Sequence, residues 1–249
     1  MESIYAHIFK KNYLHINQIL IVTLYVCPSD TKPYHNWKDN INILNNKISD
    51  FHTKQFKTLS QLKSSCFGPI VLSHPTAHYT GSLYTSYEYV EQFKHEAYQW
   101  INANKPLILN QEAPNLIIFQ ICAEWGLLEC KSHPEEFKKT ILYRQGKGVS
   151  HIQRFHGSCG MTDIPFDWNG EEIQCGMSII SEDIWKYADL PGSAIAVYHE
   201  TIGHSLGIPH PANPKKNGVM GFAMYSGKSL EDENIELEAE LKKFVLHEG

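Results

Sequence analysis

No stretch of this 249-residue chain approaches the roughly 20 consecutive apolar residues that a membrane-spanning helix requires. Positive charge is in deficit: 22 Lys and Arg face 27 Asp and Glu, a formal charge of −5, which leaves no cationic surplus for a phosphate backbone. Membrane insertion and nucleic-acid binding are therefore not the expected activities. The six cysteines (Cys27, Cys66, Cys122, Cys130, Cys159, Cys175) form no Cys-x-x-Cys pair, and a chain of this length does not need bridges to fold. Buried thiols are the default, with Cys159 and Cys175, which flank a Gly-rich loop, as the best candidates for one disulfide. Repeats, low-complexity tracts and separating linkers are also missing, so one domain over 1–249 is expected.

What is present suits a core: 42% of residues are hydrophobic, and strand-like and helix-like segments alternate. Gln18 to Val26 is rich in β-branched residues and stops at Pro28-Ser29-Asp30, which predicts a strand. Lys10 and Lys11 precede it, but the run is short and lacks a small-residue cleavage site. A cytoplasmic location is expected, or a secreted one if the true start lies elsewhere. Trp37, Ile41, Leu44, Ile48 and Phe51 recur at three- and four-residue steps, predicting a helix over 37–56. Pro69 to Ser73 predicts a short strand, and Tyr87, Val90, Phe93, Ala97 and Trp100 a second helical stripe. Leu116 to Cys122 predicts a buried strand. A short helix over 134–143, a surface loop over 146–170 and a strand over 176–181 come next. Pro191 to Leu206 and Leu230 to Leu246 read as helices, the latter with Leu230, Leu237, Leu241, Phe244 and Val245 inward.

The fourteen histidines matter by position. Tyr198 to Pro211 reads YHETIGHSLGIPHP. His199 and Glu200 are adjacent, His204 follows on the same helix, Gly207 breaks it, and His210 comes just after. Three neutral imidazoles bind zinc and leave a fourth position for water. Bound zinc lowers the pKa of that water towards about 7, and a neighbouring carboxylate can accept its proton.

This segment resembles the zinc-binding motif HExxHxxGxxH of the metzincin metallopeptidases. His204, Gly207 and His210 match its second half, and Asn217-Gly218-Val219-Met220-Gly221 supplies the methionine turn of that family, with Met224 as understudy. The resemblance implies an α/β (α+β) fold with a twisted mixed sheet, an active-site helix, a Met-turn and a C-terminal helix. The upper part would span about 1–206 and the lower part about 207–249. It implies His199, His204 and His210 as ligands of one Zn²⁺, Glu200 as catalytic base and Met220 beneath the site. Tyr225 invites comparison with a tyrosine that reaches the oxyanion in some metzincins, although packing is its simpler role.

The first half of the motif departs from the family. His199 and His204 are five residues apart rather than four. At about 100° per residue, a four-residue step separates side chains by about 40° and a five-residue step by about 140°. A single π-bulge would return both rings to one face, and Gly203, with no β-carbon, eases the distortion. The spacing also resembles the HExxGH motif of the dipeptidyl-peptidase III family. Its third ligand is a downstream glutamate, for which Glu236, Glu238 or Glu240 would stand. His151, His156 and Cys159 suggest a second metal only weakly, and Ser158-Cys159-Gly160 lacks a paired base for nucleophilic chemistry.

The expected function is hydrolysis of peptide bonds in a peptide or protein substrate, as an endopeptidase. A zinc-binding module without activity, or a zinc amidohydrolase acting on a non-peptide amide, would use the same residues.

Overall fold

The computed structural model describes residues 17–79, 88–124, 160–161, 166–206, 208 and 210–246. The expectations for 134–143, for His151, His156 and Cys159 with its bridge to Cys175, and for Gly207 lie outside these residues.

β1 (Gln18–Cys27) and β3 (Leu116–Ala123) are nearly continuous apolar runs, as strands covered on both faces must be. They pair in parallel, from Ile19 opposite Leu116 to Val26 opposite Ala123. β2 (Gln61–Val71) joins β1 in parallel on one side, and β6 (Glu171–Ser181) joins β3 in parallel on the other. β4 (Gly160–Met161) runs antiparallel to β6 and ends the strand order β2-β1-β3-β6-β4. β5 (Phe166–Trp168) forms a hairpin with the start of β6. The architecture is α/β on a mixed sheet, as expected.

Alternation along the strands divides the core into two layers. Ile19, Ile21 and Ile118 face α1 (Trp37–Phe56), α3 (Ser193–Tyr198) and α4 (Ala239–Leu246). Leu20, Val22, Ile117 and Phe119 face Ala97 and Ile101 of α2 (Glu88–Ala103). Among the described residues, no helix is long and apolar enough to cross a membrane.

Three expectations need correcting. β2 begins at Gln61 rather than Pro69, because an edge strand exposed at most positions carries no apolar run to announce it. Within the loop expected over 146–170, residues 160–161 and 166–168 are the strands β4 and β5, while 146–159 and 162–165 lie outside the described residues. Asn169 and Gly170 turn the β5–β6 hairpin with φ of 52° and 92°, and the Gly170 N–H donates to Asp167 Oδ1 at 2.8 Å. An Asn-Gly pair is a strong hairpin signal on its own. Residues 230–238 are not helical, and α4 starts only at Ala239. Their backbone is engaged elsewhere: Val219 N–H donates to Glu236 O at 3.0 Å, and Glu236 N–H to Asn217 O at 2.9 Å. Leu230, Leu237, Leu241 and Val245 are buried nonetheless.

α3 and the turns beyond it are fixed against the sheet and α1 at two points. Gly176 of β6 lies so close to the chain after α3 that a Cβ there would sit 2.9 Å from both Cβ and carbonyl oxygen of Ser205. His52 of α1 lies fully buried, with Nδ1 2.9 Å from the Tyr198 hydroxyl and Nε2 2.9 Å from Ser60 Oγ.

Burial pulls the His52 pKa down to about 3. The folded chain keeps this ring neutral where the unfolded chain protonates it, at about 6.5. The unfolded state then binds more protons, so stability falls as pH drops from about 6.5 towards 3. Compared with His52→Gln, the wild type should lose about 1.4 kcal/mol per pH unit across that window. Denaturant unfolding of both proteins at pH 7, 6, 5 and 4 measures it; parallel curves would show that His52 is not held neutral.

Candidate metal centre

The chain from Ser193 to Leu206 changes pitch twice. α3 ends at Tyr198, residues His199–Gly203 form a π turn, and His204–Leu206 form a 3₁₀ turn. The His204 N–H reaches both Glu200 O and His199 O, and the second of these is the five-residue hydrogen bond of a π-helix. The expected bulge is therefore present, and it takes up a whole turn.

With the extra residue absorbed, the imidazoles meet. His199 Nε2 lies 2.9 Å from His204 Nε2, which lies 3.1 Å from His210 Nε2. All three ligand atoms fall within 4.8 Å of one another. The rings pack edge-on or tilted, with centroids 4.5 to 4.9 Å apart.

The opposite ring nitrogens explain why Nε2 turns inward. His199 Nδ1 is 2.8 Å from Val219 O, and His204 Nδ1 is 2.9 Å from Ile208 O. A carbonyl can only accept, so each Nδ1 carries the proton and each Nε2 presents a lone pair. Two lone pairs facing at 2.9 Å repel unless a cation lies between them. Zinc bonds of about 2.0–2.1 Å in a tetrahedral set place neighbouring nitrogens about 3.3–3.4 Å apart, a few tenths of an ångström from what is found. The donor set and its hydrogen bonds fit a borderline cation such as Zn²⁺.

The loop after the site supplies the remaining support. Met220 packs its thioether against the α-carbon of Gly203, where a Cβ would fall well inside contact distance of both Sδ and Cε. Gly203 thus gives up its side chain to make room for Met220 as well as easing the π turn. The Met220 N–H donates to Glu238 Oε1 at 2.9 Å, and Gly218 leaves space for that carboxylate. Val219, one residue earlier, carries the carbonyl that orients His199. Met224 is buried in the same apolar cluster but is not the methionine on Gly203.

Of the sequence-expected residues, His199, His204, His210, Gly203 and Met220 come together. Glu200 is buried within the π turn, its carbonyl accepting from Ser205 Oγ at 3.3 Å. Two of the glutamates suggested as third ligand, Glu236 and Glu238, are engaged elsewhere. Glu238 holds the Met220 amide. Glu236 is exposed and pairs with Lys215 at 2.9 Å, and the ammonium keeps its carboxyl below the usual range. The side chains of Glu240 and Tyr225 lie outside those described. Burial grades across the cluster, from His199 sealed inside, through His204, to His210 exposed. One side of the cluster therefore meets solvent, as a site with an open coordination position requires.

Comparison with known proteins adds little at the level of sequence. No family model and no curated protein matches this chain. Among solved structures it is similar to the crystal structure of metalloproteinase-II from Bacteroides fragilis. That likeness has 14% identity and a TM-score of 0.38, over 98% of this chain and 60% of the other. The chain thus spans three fifths of that protein's length.

Sequence reading did not find Gln120, Thr201, Ser178, Thr23 and Asn45, which join beneath the π turn. Gln120 is the one polar residue of β3, whereas Thr23 and Ser178 share their strands with other polar residues, so the row shows only in the strand register.

The contact between Gly203 and Met220 can be tested as a pair. Gly203→Ala should destabilise by about 1–3 kcal/mol through overpacking. In a Met220→Ala background the same change should cost nothing or stabilise, because alanine is otherwise the better helix residue. Thermal unfolding of the two single variants and the double variant measures the coupling; additive losses would show that the two residues do not meet.

Proposed function

We propose that this chain is a zinc-dependent metallopeptidase of metzincin-like design that cleaves peptide bonds, with His199, His204 and His210 holding one Zn²⁺ and Glu200 as general base. The observation that carries this reading is the convergence of three Nε2 atoms, two of them fixed in tautomer by backbone carbonyls. A zinc ion held there supplies Lewis acidity to a scissile carbonyl and lowers the pKa of a water towards about 7.

The chain's own residues do the rest. Glu200 takes a proton from the attacking water as its oxygen bonds to the carbonyl carbon. When the C–N bond breaks, the same carboxyl passes that proton to the leaving amine. The buried position of Glu200, directly after His199 in the π turn, supports this role. Among the described residues β4 ends the strand order, antiparallel to β6, and an extended peptide would add to the sheet along this side as one more strand. The exposed side of the cluster, at His210, gives a substrate its approach.

Metal analysis of the purified protein should return one zinc per chain. Turnover of a mixed peptide library should stop on chelation and return with Zn²⁺. Glu200→Ala should keep the zinc and lose about 10²–10⁴-fold in turnover. Zinc without any peptide cleavage would leave a binding module or a hydrolase of non-peptide amides. Full cleavage by the chelated protein would sink the metal mechanism.

A further inference from the structure

A row of polar side chains crosses the middle of the otherwise apolar sheet face beneath the π turn. Thr23 of β1 is registered opposite Gln120 of β3, and Gln120 opposite Ser178 of β6. Asn45 of α1 and Thr201 of the π turn complete the group, and all five are at most 1% exposed.

Every bond in this chain has a direction. Asn45 Nδ2 donates to Thr23 Oγ1 at 3.0 Å. Gln120 Nε2 donates to Thr23 Oγ1 and to Asn45 Oδ1, both at 3.2 Å. The amide of Gln120 is thereby oriented, and its Oε1 faces Thr201, whose hydroxyl donates to it at 2.8 Å. Since the one hydroxyl proton of Thr201 goes to Gln120, Ser178 is the donor in the 3.1 Å contact between Ser178 Oγ and Thr201 Oγ1.

Thr201 sits between the two histidines of the motif, two residues after His199 and three before His204. A helical threonine commonly bonds back to a carbonyl of its own preceding turn. Here it bonds outward, to the sheet. If the turn relaxed to regular α-helix, Thr201 would rotate away and leave Gln120 and Ser178 short of partners in a dry core. Leaving buried amides and hydroxyls unpaired is costly, so the network favours the π register over the α register. The α register is also the one that turns His199 about 140° from His204.

We propose that Thr201 and Gln120 are positioning residues of the metal centre. The Thr23–Asn45–Gln120–Ser178–Thr201 network selects the π register of the turn and so brings His199 Nε2 to His204 Nε2. This inference rests on the metal reading above.

The test is Co²⁺ titration, followed by visible absorption and chelator competition, on the full chain. It compares wild type with Thr201→Val, Thr201→Ser, Gln120→Met and Ile101→Val. The last is a core truncation on the opposite face of the sheet. Thermal unfolding of each metal-free protein runs alongside. Thr201→Val should bind Co²⁺ at least about tenfold more weakly, the scale on which residues orienting a ligand act, and its absorption bands should change. Thr201→Ser, which keeps the hydroxyl, should restore affinity and spectrum, and Ile101→Val should match wild type in both despite a lower melting temperature. If Thr201→Val does not fold, Gln120→Met carries the same expectation. A merely structural network would lower melting temperatures and leave affinity and spectrum alone, and that result overturns the proposal. A wild type that takes up no Co²⁺ would overturn the metal reading itself, and the positioning role with it.

Discussion

Two imidazoles five residues apart on one helix can serve one metal only where the helix gains a residue within a turn. The rest of this site depends on that constraint. The gain is made by His199–Gly203, where His204 N–H reaches back five residues to His199 O. A π turn is wider than an α turn and packs its surroundings less easily, so it survives only where neighbours are shaped for it. Here the neighbours are Gly176, whose missing side chain lets Ser205 of the following 3₁₀ turn approach β6, and Met220, which fills the notch at Gly203.

The loop that carries Met220 does more than fill space. Val219 orients the His199 ring with its carbonyl, and Met220 presses on Gly203 from the adjacent position. The short bridge between 217–219 and 236, together with the Glu238 carboxylate on the Met220 amide, fixes both at once. A glutamate that sequence spacing could offer as a ligand thus works one step further out. It holds the loop that holds the histidine. The same use of the 230–238 backbone is why no helix forms there, although Leu230 and Leu237 face inward.

Much of the fold was legible because covered parallel strands and an amphipathic helix leave plain periodic marks. β1, α1 and β3 emerge from apolar runs and three-to-four spacing almost to the residue. β2 did not, because an exposed edge strand has no apolar run to read. The β5–β6 turn is legible in Asn169-Gly170, a pair suited to the positive φ that both residues adopt. At the site, the five-residue step itself announced the π turn and Gly203 marked where the backbone must yield. The partner that occupies the space of the missing Gly203 side chain could not be read, since contact across 17 residues of sequence depends on how the loop returns. The polar row at Thr23, Gln120 and Ser178 was equally hidden. Each is an ordinary residue alone, and only the strand register makes them a row.

That register gives the site two unlike walls. On the sheet side, buried amides and hydroxyls bond to one another and keep the turn from sliding by a residue. On the loop side, a flexible thioether fills whatever shape the turn presents. A rigid, directional support on one flank and a compliant apolar one on the other tolerate small shifts of the rings while forbidding a change of register. Three nitrogens that were to settle around one ion would need both properties. The exposure of His210 then fits its place in the chain, for it comes from the segment after the helix and closes the cluster from the solvent side.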